Sequence, residues 1–420
     1  MFTTLSEWLG HLEQAHVRAI DLGLDRVRRV AKVLAADVFA CPVITVGGTN
    51  GKGSTVATLT AVYLAAGYRV ATYTSPHLLH FNERICLDGS PVPDEPLIRA
   101  FTVVESARHQ AGTSLSYFEF TTLAAFVVFR EANPDIVILE VGLGGRLDAV
   151  NLVDATVAVI TSIGIDHTDW LGDTREAIAF EKAGIFRAGR VVVCGETDPP
   201  ETMLEHAQVL GCPVLRKGRD FGFERLPSSW SWWGGDSRHE NLPMPKLALD
   251  NVTTALAAIE PAGLPVSESA LREGLFQAFV PGRLERLEWQ GVEIVLDVAH
   301  NPHGASFFMQ QLQPVSGRQR AVFAMLADKD AGSTLDACLG KVDLWYPAGL
   351  NVPRGRPSQA LMPLFTERGM CTGGSFGTVG SALATALRES RPGDRILVFG
   401  SFHTVSAARE WLEKNHGYSY

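Results

Sequence analysis

The sequence predicts an α/β protein of two domains, the larger N-terminal one built on a parallel sheet covered on both faces. Three observations predict it. Apolar segments without polar alternation recur between helical segments, the pattern of strands buried on both faces. That alternation runs from about residue 42 to 195 and begins again near 292. The length, 420 residues, is about two to three times that of a usual single domain.

Leu5, Trp8, Leu9 and Leu12 recur at helical spacing, as do Val27, Val30, Val33 and Leu34. "PVITVG" (42–47) reads as a buried strand, Ser54 to Ala66 as a helix and "RVATYTS" (69–75) as a strand. Residues 95–110 and 117–132 read as helices, "DIVILEV" (135–141) and "TVAVITSIG" (156–164) as strands, 173–186 as a helix and "RVVVCG" (190–195) as a strand. The aromatic, turn-rich "FGFERLPSSWSWWGGDSR" (221–238) breaks the rhythm. It is expected to form a β excursion whose Trp230, Trp232 and Trp233 cover a sheet edge rather than stack on a ligand. Helices near 248–260 and 267–276 follow, and the Pro281-Gly282 turn marks a boundary around 281–290. Beyond it come "VEIVLDVA" (292–299), a helix at 303–312, "RAVFAML" (320–326), a helix near 333–340 and "VDLWYP" (342–347). Helices near 357–368 and 378–390 and the strand "RILVFGS" (395–401) complete a smaller α/β domain.

Hydrophobic residues make up 46% and charged residues 20% of the chain, ordinary for large packed cores. A net charge of -9 without charge blocks argues against a nucleic-acid partner. Cys41, Cys86, Cys194, Cys212, Cys338 and Cys371 form no C-x-x-C pair, so neither a zinc site nor a disulfide framework is expected, and the compartment reads as reducing. "MFTTLSEWLGHLEQAH" lacks the layout of a signal peptide, and no apolar run approaches a membrane span. The expectation is a cytoplasmic protein without a membrane partner, and a monomer by default.

The chemistry begins at "VITVGGTNGKGSTVATL" (Val43 to Leu59). A strand, a glycine loop and a helix start aim backbone N–H groups and a helix dipole at one point, which suits a phosphate. Lys52 adds a point charge for the outer phosphates of a nucleotide. The loop departs twice from G-x-x-x-x-G-K-[ST]. Val46 stands where the first glycine belongs, and Gly53 separates Lys52 from Ser54. The displaced hydroxyl implies that magnesium ligands come partly from elsewhere. Ser75, Glu140 and His167 lie just past strand ends, where open α/β sheets place ligands. At three neighbouring parallel-strand ends they would ring one phosphate tail. "VGLGGRL" invites a dinucleotide reading that fails, because the third glycine of G-x-G-x-x-G falls at Leu147.

"GTNGKGS", "TSPHL…FNERI", "EVGLGGRLDAVN", "GIDHTDWLG", "EKAGIFR", "PGRLE", "DVAHNP" and "VFGSFHTV", in this order over residues 47 to about 405, resemble the folylpolyglutamate synthase family of the Mur-ligase-like superfamily. The resemblance implies a P-loop ATPase-like domain of the Mur-ligase central-domain type at 1–283 and a smaller Rossmann-like domain at 284–420. It implies an ATP-dependent ligase that adds L-glutamate to 7,8-dihydropteroate and to reduced folates. ATP and magnesium, as two ions, are implied cofactors, with K+ or another monovalent cation as an addition.

Carried residue by residue, the resemblance assigns the ATP phosphates to Gly48, Thr49, Asn50, Gly51, Lys52, Gly53 and Ser54, and further ATP contacts to Asn251, Arg283 and Asp297. Ser75, Glu140 and His167 match its magnesium ligands, and Lys182 matches a lysine carried as a carbamate. A plain lysine paired with Glu181 on a solvated helix face is the other reading of Lys182. His300 and Ser401 resemble glutamate-holding positions. Leu22, Gly23, Leu24, Asp25 and Arg26 in "IDLGLDRV", Phe118 in "SYFEF", and Arg146, Leu147 and Asp148 resemble the dihydropteroate pocket. Asp25 and Arg26 read equally as a helix-start pair without a ligand.

A carboxylate must be activated before an amine attacks it, and transfer of the γ-phosphoryl group of ATP would make the acyl phosphate. Lys52, the loop N–H groups and magnesium would neutralise the charge that develops. Lys52, Lys182 and His167 are therefore the candidate catalytic residues. Closure at a hinge near 281–290 would exclude water from the acyl phosphate. A ligase acting on a cell-wall precursor and a nucleotide-dependent switch or motor are the competing readings.

Overall fold

The computed structural model describes residues 2–15 and 21–416. Two compact units divide the chain, Met1–Phe279 and Val280–Tyr420.

In the first unit α1 (Leu5–Gln14) and α2 (Asp25–Leu34) precede β1 (Val43–Gly47), α3 (Lys52–Ala65) and β2 (Val70–Tyr73). An antiparallel ribbon, β3 (Ile85–Leu87) and β4 (Ser90–Pro91), leads to α4 (Asp94–Ala111) and α5 (Tyr117–Ala132). Then follow β5 (Ile136–Glu140), β6 (Val157–Ile160), α6 (Thr168–Leu171), α7 (Arg175–Ala183), β7 (Val191–Cys194), α8 (Glu201–Val209) and β8 (Val214–Arg216). Among the described residues the sheet has the order β4-β3-β2-β5-β1-β6-β7-β8. Pairing is parallel from β2 to β8, and β3 joins β2 antiparallel, so the expected parallel sheet acquires an antiparallel edge. β1, β5 and β6 are buried along their whole length, as both-face coverage demands.

Two helix boundaries differ from the sequence expectation. α3 begins at Lys52 rather than Ser54, because Gly51 at φ +87 supplies the N-cap and nothing in Lys52 or Gly53 opposes a first turn. The helix expected over 173–186 is the shorter α7, capped by Thr174 and ended at Ala183, and a separate turn of helix, α6, precedes it across Gly172 at φ +91.

The aromatic segment forms its own antiparallel sheet, β9 (Phe221–Arg225), β10 (Trp230–Gly234) and β11 (Ser237–Leu242), ordered β11-β10-β9. Trp230 and Trp232 are buried, and their indole N–H groups donate to the carbonyls of Pro243 and Thr253 at 2.8 and 3.2 Å. The Thr253 carbonyl belongs to α9 (Leu249–Ala257), so Trp232 ties the small sheet to that helix. α10 (Glu268–Gln277) lies against α3, with Gly274 so near the Val62 backbone that a Cβ would stand 2.5 Å from its Cα.

The second unit opens with β12 (Glu285–Trp289) and β13 (Val292–Asp297), then α11 (Pro302–Gln311), β14 (Gln319–Phe323), α12 (Ala331–Asp336) and β15 (Leu344–Pro347). α13 (Met362–Glu367), α14 (Val379–Arg388), β16 (Arg395–Phe399) and α15 (Phe402–His416) complete it. Its sheet is β12-β13-β16-β14-β15, parallel except for β12. The strand β12 and the helix α15 have no counterpart in the sequence reading. No helix among the described residues is long and apolar enough to cross a membrane.

Candidate active site

β1 delivers the glycine loop at its C-terminal end, and two of its glycines have no substitute. Gly48 has φ +143, and a Cβ there would fall 1.9 Å from Thr161 Oγ1. Gly51 has φ +87, and its Cβ would fall 2.2 Å from Asn251 Oδ1. The backbone therefore runs tight between β6 and α9, two elements far away in sequence. Lys52 Nζ folds back over the loop and donates to the carbonyls of Gly48 and Thr49 at 3.1 and 3.3 Å. Ser54 is buried in the first turn of α3.

The residues after β6 pin this loop. Thr49 N–H donates to the Ser162 carbonyl at 2.8 Å, and Asn50 N–H to Ser162 Oγ at 3.0 Å. Thr161 and Ser162 hydroxyls both donate to the Asn50 carbonyl, at 2.6 and 3.0 Å. Thr49 Oγ1 bonds both the carbonyl and the N–H of Gly164. Sequence reasoning passed over this Thr-Ser pair. Hydroxyls directly ending an apolar strand were the signal available.

The strand order decides what surrounds the loop. β2, β5, β1 and β6 are consecutive, so Ser75 and Glu140 lie to one side of the loop strand and His167 to the other. The sequence expectation of three neighbouring strand ends is therefore corrected: β2 and β5 are adjacent, and the loop strand β1 separates them from β6. Glu140 is buried, and its Oε2 accepts the Ser75 N–H at 3.1 Å. A Cβ on Gly53 would lie 4.0 Å from the same oxygen, so the carboxylate reaches the first turn of α3. His167 is exposed, caps α6 at φ +53, and its N–H donates to Asp166 Oδ1 at 2.8 Å.

Lys182 is buried near the end of α7. Burial first, then the charge of Lys52, pushes its ammonium down to about 7, while Asp166 pulls the other way. Lys52, Lys182 and Asp166 thus share one electrostatic neighbourhood. That places Lys182 away from a solvated face, and Glu181 instead takes Arg146, at 2.8 Å. Among the described residues no three His, Cys, Asp or Glu side chains stand ready to hold an ion. The donors nevertheless suit magnesium, which takes one or two protein oxygens and keeps waters. Glu140 and Ser75 are hard oxygen donors, and a carbamate on Lys182 would add two more oxygens.

Beside this lies a second set. Asp148 is buried and accepts N–H groups from Leu143 and Val150 at 2.8 and 3.0 Å. Burial lifts its carboxyl to about 6 against those donors and the charge of Lys52. Phe118 lies over Gly142, where a Cβ would meet its ring at 2.6 Å, and 5.8 Å from the Tyr73 ring centroid. Arg26 joins Asp21 at 2.9 Å and the buried Glu119 at 3.1 Å, tying the loop of Leu22, Gly23 and Leu24 to α5. Asp25 faces solvent, 4.0 Å from Arg28, and Leu147 is half-buried. Ile20, the first residue of "IDLGLDRV", lies outside the described residues.

In the second unit Asp297 is buried and accepts N–H groups from Leu284 and Ala299 at 2.9 and 2.8 Å. Burial raises its carboxyl, and the nearby charges of Arg283 and His300 act against that rise. His300 Nδ1–H donates to the Val298 carbonyl at 3.0 Å, which fixes the ring tautomer. Ser401 is buried, its Oγ accepting the Thr404 N–H at 3.0 Å.

Two family models match, the Mur ligase middle domain over residues 46–229 and the Mur ligase glutamate ligase domain over 282–402. The chain is 43% identical to the dihydrofolate synthase/folylpolyglutamate synthase of Escherichia coli K12 over 411 residues, 97% of this chain and 96% of that protein. Its fold is similar to that of E. coli FolC in complex with DHPP and ADP, with TM-score 0.93 at 43% identity and 98% of each chain covered. It is likewise similar to a bifunctional folylpolyglutamate synthase/dihydrofolate synthase with Mn, AMPPNP and L-glutamate bound, with TM-score 0.91 at 42% identity and 98% of each chain covered.

Proposed function

The chain belongs to the dihydrofolate synthase/folylpolyglutamate synthase family, and from that premise we propose that it joins L-glutamate to 7,8-dihydropteroate and further glutamates to reduced folates. It is an ATP-dependent carboxylate–amine ligase of folate metabolism, with ATP and a divalent metal ion as its requirements. The observation that carries the site is the meeting of the Gly48–Ser54 loop, Glu140 and the buried Lys182 at one end of the sheet.

The loop N–H groups and Lys52 hold the ATP phosphates, and Lys52 leaves the Gly48 and Thr49 carbonyls to do so. Glu140, Ser75 and His167 hold magnesium together with a carbamate on Lys182. Bound there, the metal withdraws charge from the γ-phosphoryl oxygens. An amine near 7 is about half free base at neutral pH, and the free base is the form that captures carbon dioxide. The resulting anion removes the repulsion between Lys182 and Lys52. Phe118, Asp148, Arg146 and the loop Leu22–Arg26 take the pterin acid. Its carboxylate accepts the γ-phosphoryl group, and the α-amine of glutamate, held by His300 and Ser401, displaces phosphate. Asn251, Arg283 and Asp297 complete the nucleotide contacts. The protein acts as a monomer in the cytoplasm.

The test is phosphate release with ATP and glutamate, comparing dihydropteroate with tetrahydrofolate as acceptor. Release that requires an acceptor and yields a new amide supports the reading. ATP hydrolysis indifferent to both acceptors defeats it.

A further inference from the structure

One face of α15 builds the turn that carries Arg283. Phe402, Val405 and Arg409 recur at the i, i+3, i+7 spacing of a single helix face. Each touches a different part of the segment Gly282–Glu285. The Phe402 ring lies under the Arg283 guanidinium, 5.4 Å from centroid to Cζ. Val405 closes over Gly282, where a Cβ would come within 2.9 Å of its Cγ1. Arg409 Nη1 pairs with Glu285 Oε1, both side chains buried. The other oxygen of Glu285 accepts the Gly282 N–H at 2.7 Å.

The rest of the turn is held from β13. The Gly282 carbonyl accepts the Val298 N–H at 2.9 Å, and the Leu284 N–H goes to Asp297. Gly282 and Leu284, at φ +70 and +48, are both left-handed; the glycine takes that region freely, but Leu284 does not, so the turn departs from relaxed backbone just after Arg283. A conformation of that kind persists when its surroundings determine it. Here the buried pair Arg409–Glu285 does so from one side and Asp297 from the other.

We propose that Arg409, Glu285 and Phe402 are positioning residues for Arg283: the ion pair fixes the turn, and the Phe402 face fixes the direction of the guanidinium. This rests on the reading of Arg283 as a nucleotide contact. Arg409 touches no substrate in this account and acts through Glu285 and the turn.

The experiment measures KM for ATP, KM for dihydropteroate and Tm in R283A, F402L, F402Y, R409K and the double variant R283A/F402L. F402L keeps apolar volume but removes the aromatic face, and is expected to raise KM for ATP roughly three- to tenfold. KM for dihydropteroate stays within twofold, and F402Y, which keeps a ring, stays near wild type. R409K, which loses the planar fork, shifts KM for ATP in the same direction. In the double variant F402L adds nothing to R283A, because the two act as a unit. If R409K does not fold, F402L and the double variant still decide. A folded F402L with unchanged KM for ATP, or one whose effect adds fully to R283A, overturns the proposal. R283A with unchanged KM for ATP defeats the nucleotide reading itself, and the proposal with it.

Discussion

Lys182 shares its buried surroundings with the charge of Lys52, and burial together with that repulsion lowers its ammonium from 10.5 to about 7. Between these values the unfolded chain binds a proton that the folded chain does not, so the unmodified protein gains stability as pH rises from about 7 toward 10.5. That contribution is lost as pH falls through about 7. A carbamate needs the free amine, whose fraction drops about tenfold per pH unit below 7. Activity in carbon dioxide-depleted buffer is therefore expected to fall from pH 8 to pH 6 and to rise on adding bicarbonate. A 13C signal from labelled bicarbonate should appear in the wild type and vanish in Lys182→Ala. Short-chain carboxylic acids should partly restore that variant. Indifference to bicarbonate, with no such signal, would count against the carbamate.

Lys52→Ala removes the charge aimed at the phosphates but no core packing, since the side chain is half-buried and its Nζ donates to the loop carbonyls of Gly48 and Thr49. The expected loss in kcat is on the order of 10²- to 10³-fold, with Tm close to wild type. The same substitution relieves the repulsion on Lys182, so the Lys182 ammonium rises toward its ordinary value. Single-turnover product formation alongside thermal melts separates lost chemistry from lost fold.

Glu140→Gln keeps an acceptor for the Ser75 N–H but loses the anion that faces the first turn of α3. Magnesium dependence should move to roughly ten- to a hundredfold higher concentration. A titration of activity against magnesium reads this directly; an unshifted curve would remove Glu140 from the metal set.

The glycine loop was legible because its signal is local: strand, glycines, lysine and helix fall within seventeen consecutive residues. Ser75, Glu140 and His167 were legible as strand ends, yet their arrangement was not. Strand order is a matter of crossovers, and nothing near Val43 says that β1 inserts between β5 and β6. Contacts between residues far apart were beyond sequence reasoning for the same reason. Asn251 against Gly51 and Arg409 against Glu285 each join distant segments. A single arginine on an amphipathic helix reads as solvated until the turn it buries against is known. Lys182 shows the converse. "EKAGI" permits a surface lysine, and only the packed α7 puts it inside.

Glu83 gathers three successive backbone N–H groups, those of Leu78, Leu79 and His80, at 2.6, 2.8 and 2.6 Å. It thereby shapes the loop that follows Ser75. Glu83→Ala leaves these donors without their carboxylate, and the loop should loosen more than the fold. Hydrogen exchange at residues 78–80 is expected to quicken, and the KM for magnesium to rise severalfold through Ser75. Exchange unchanged at these amides would show that the loop holds its shape without Glu83.

Asp148 receives two N–H groups, from Leu143 on Oδ2 and Val150 on Oδ1, while burial lifts its carboxyl to about 6. Its folded value lies above the ordinary 3.8, so its contribution is complete below about 4 and lost as pH rises through about 6. Asp148→Asn abolishes that titration, but an amide offers one oxygen where two donors converge. One N–H must then face an NH₂ group, at a cost of about 1–3 kcal/mol. Urea unfolding should report that loss at pH 4, where the wild-type carboxyl is neutral, with the gap between the two proteins narrowing toward pH 7 as the buried carboxylate ionises in the wild type alone. The same variant should weaken dihydropteroate binding, measured by KM, while the KM for ATP stays near wild type. Equal stability of the two proteins at pH 4 would mean that the two backbone donors do not depend on the carboxyl group.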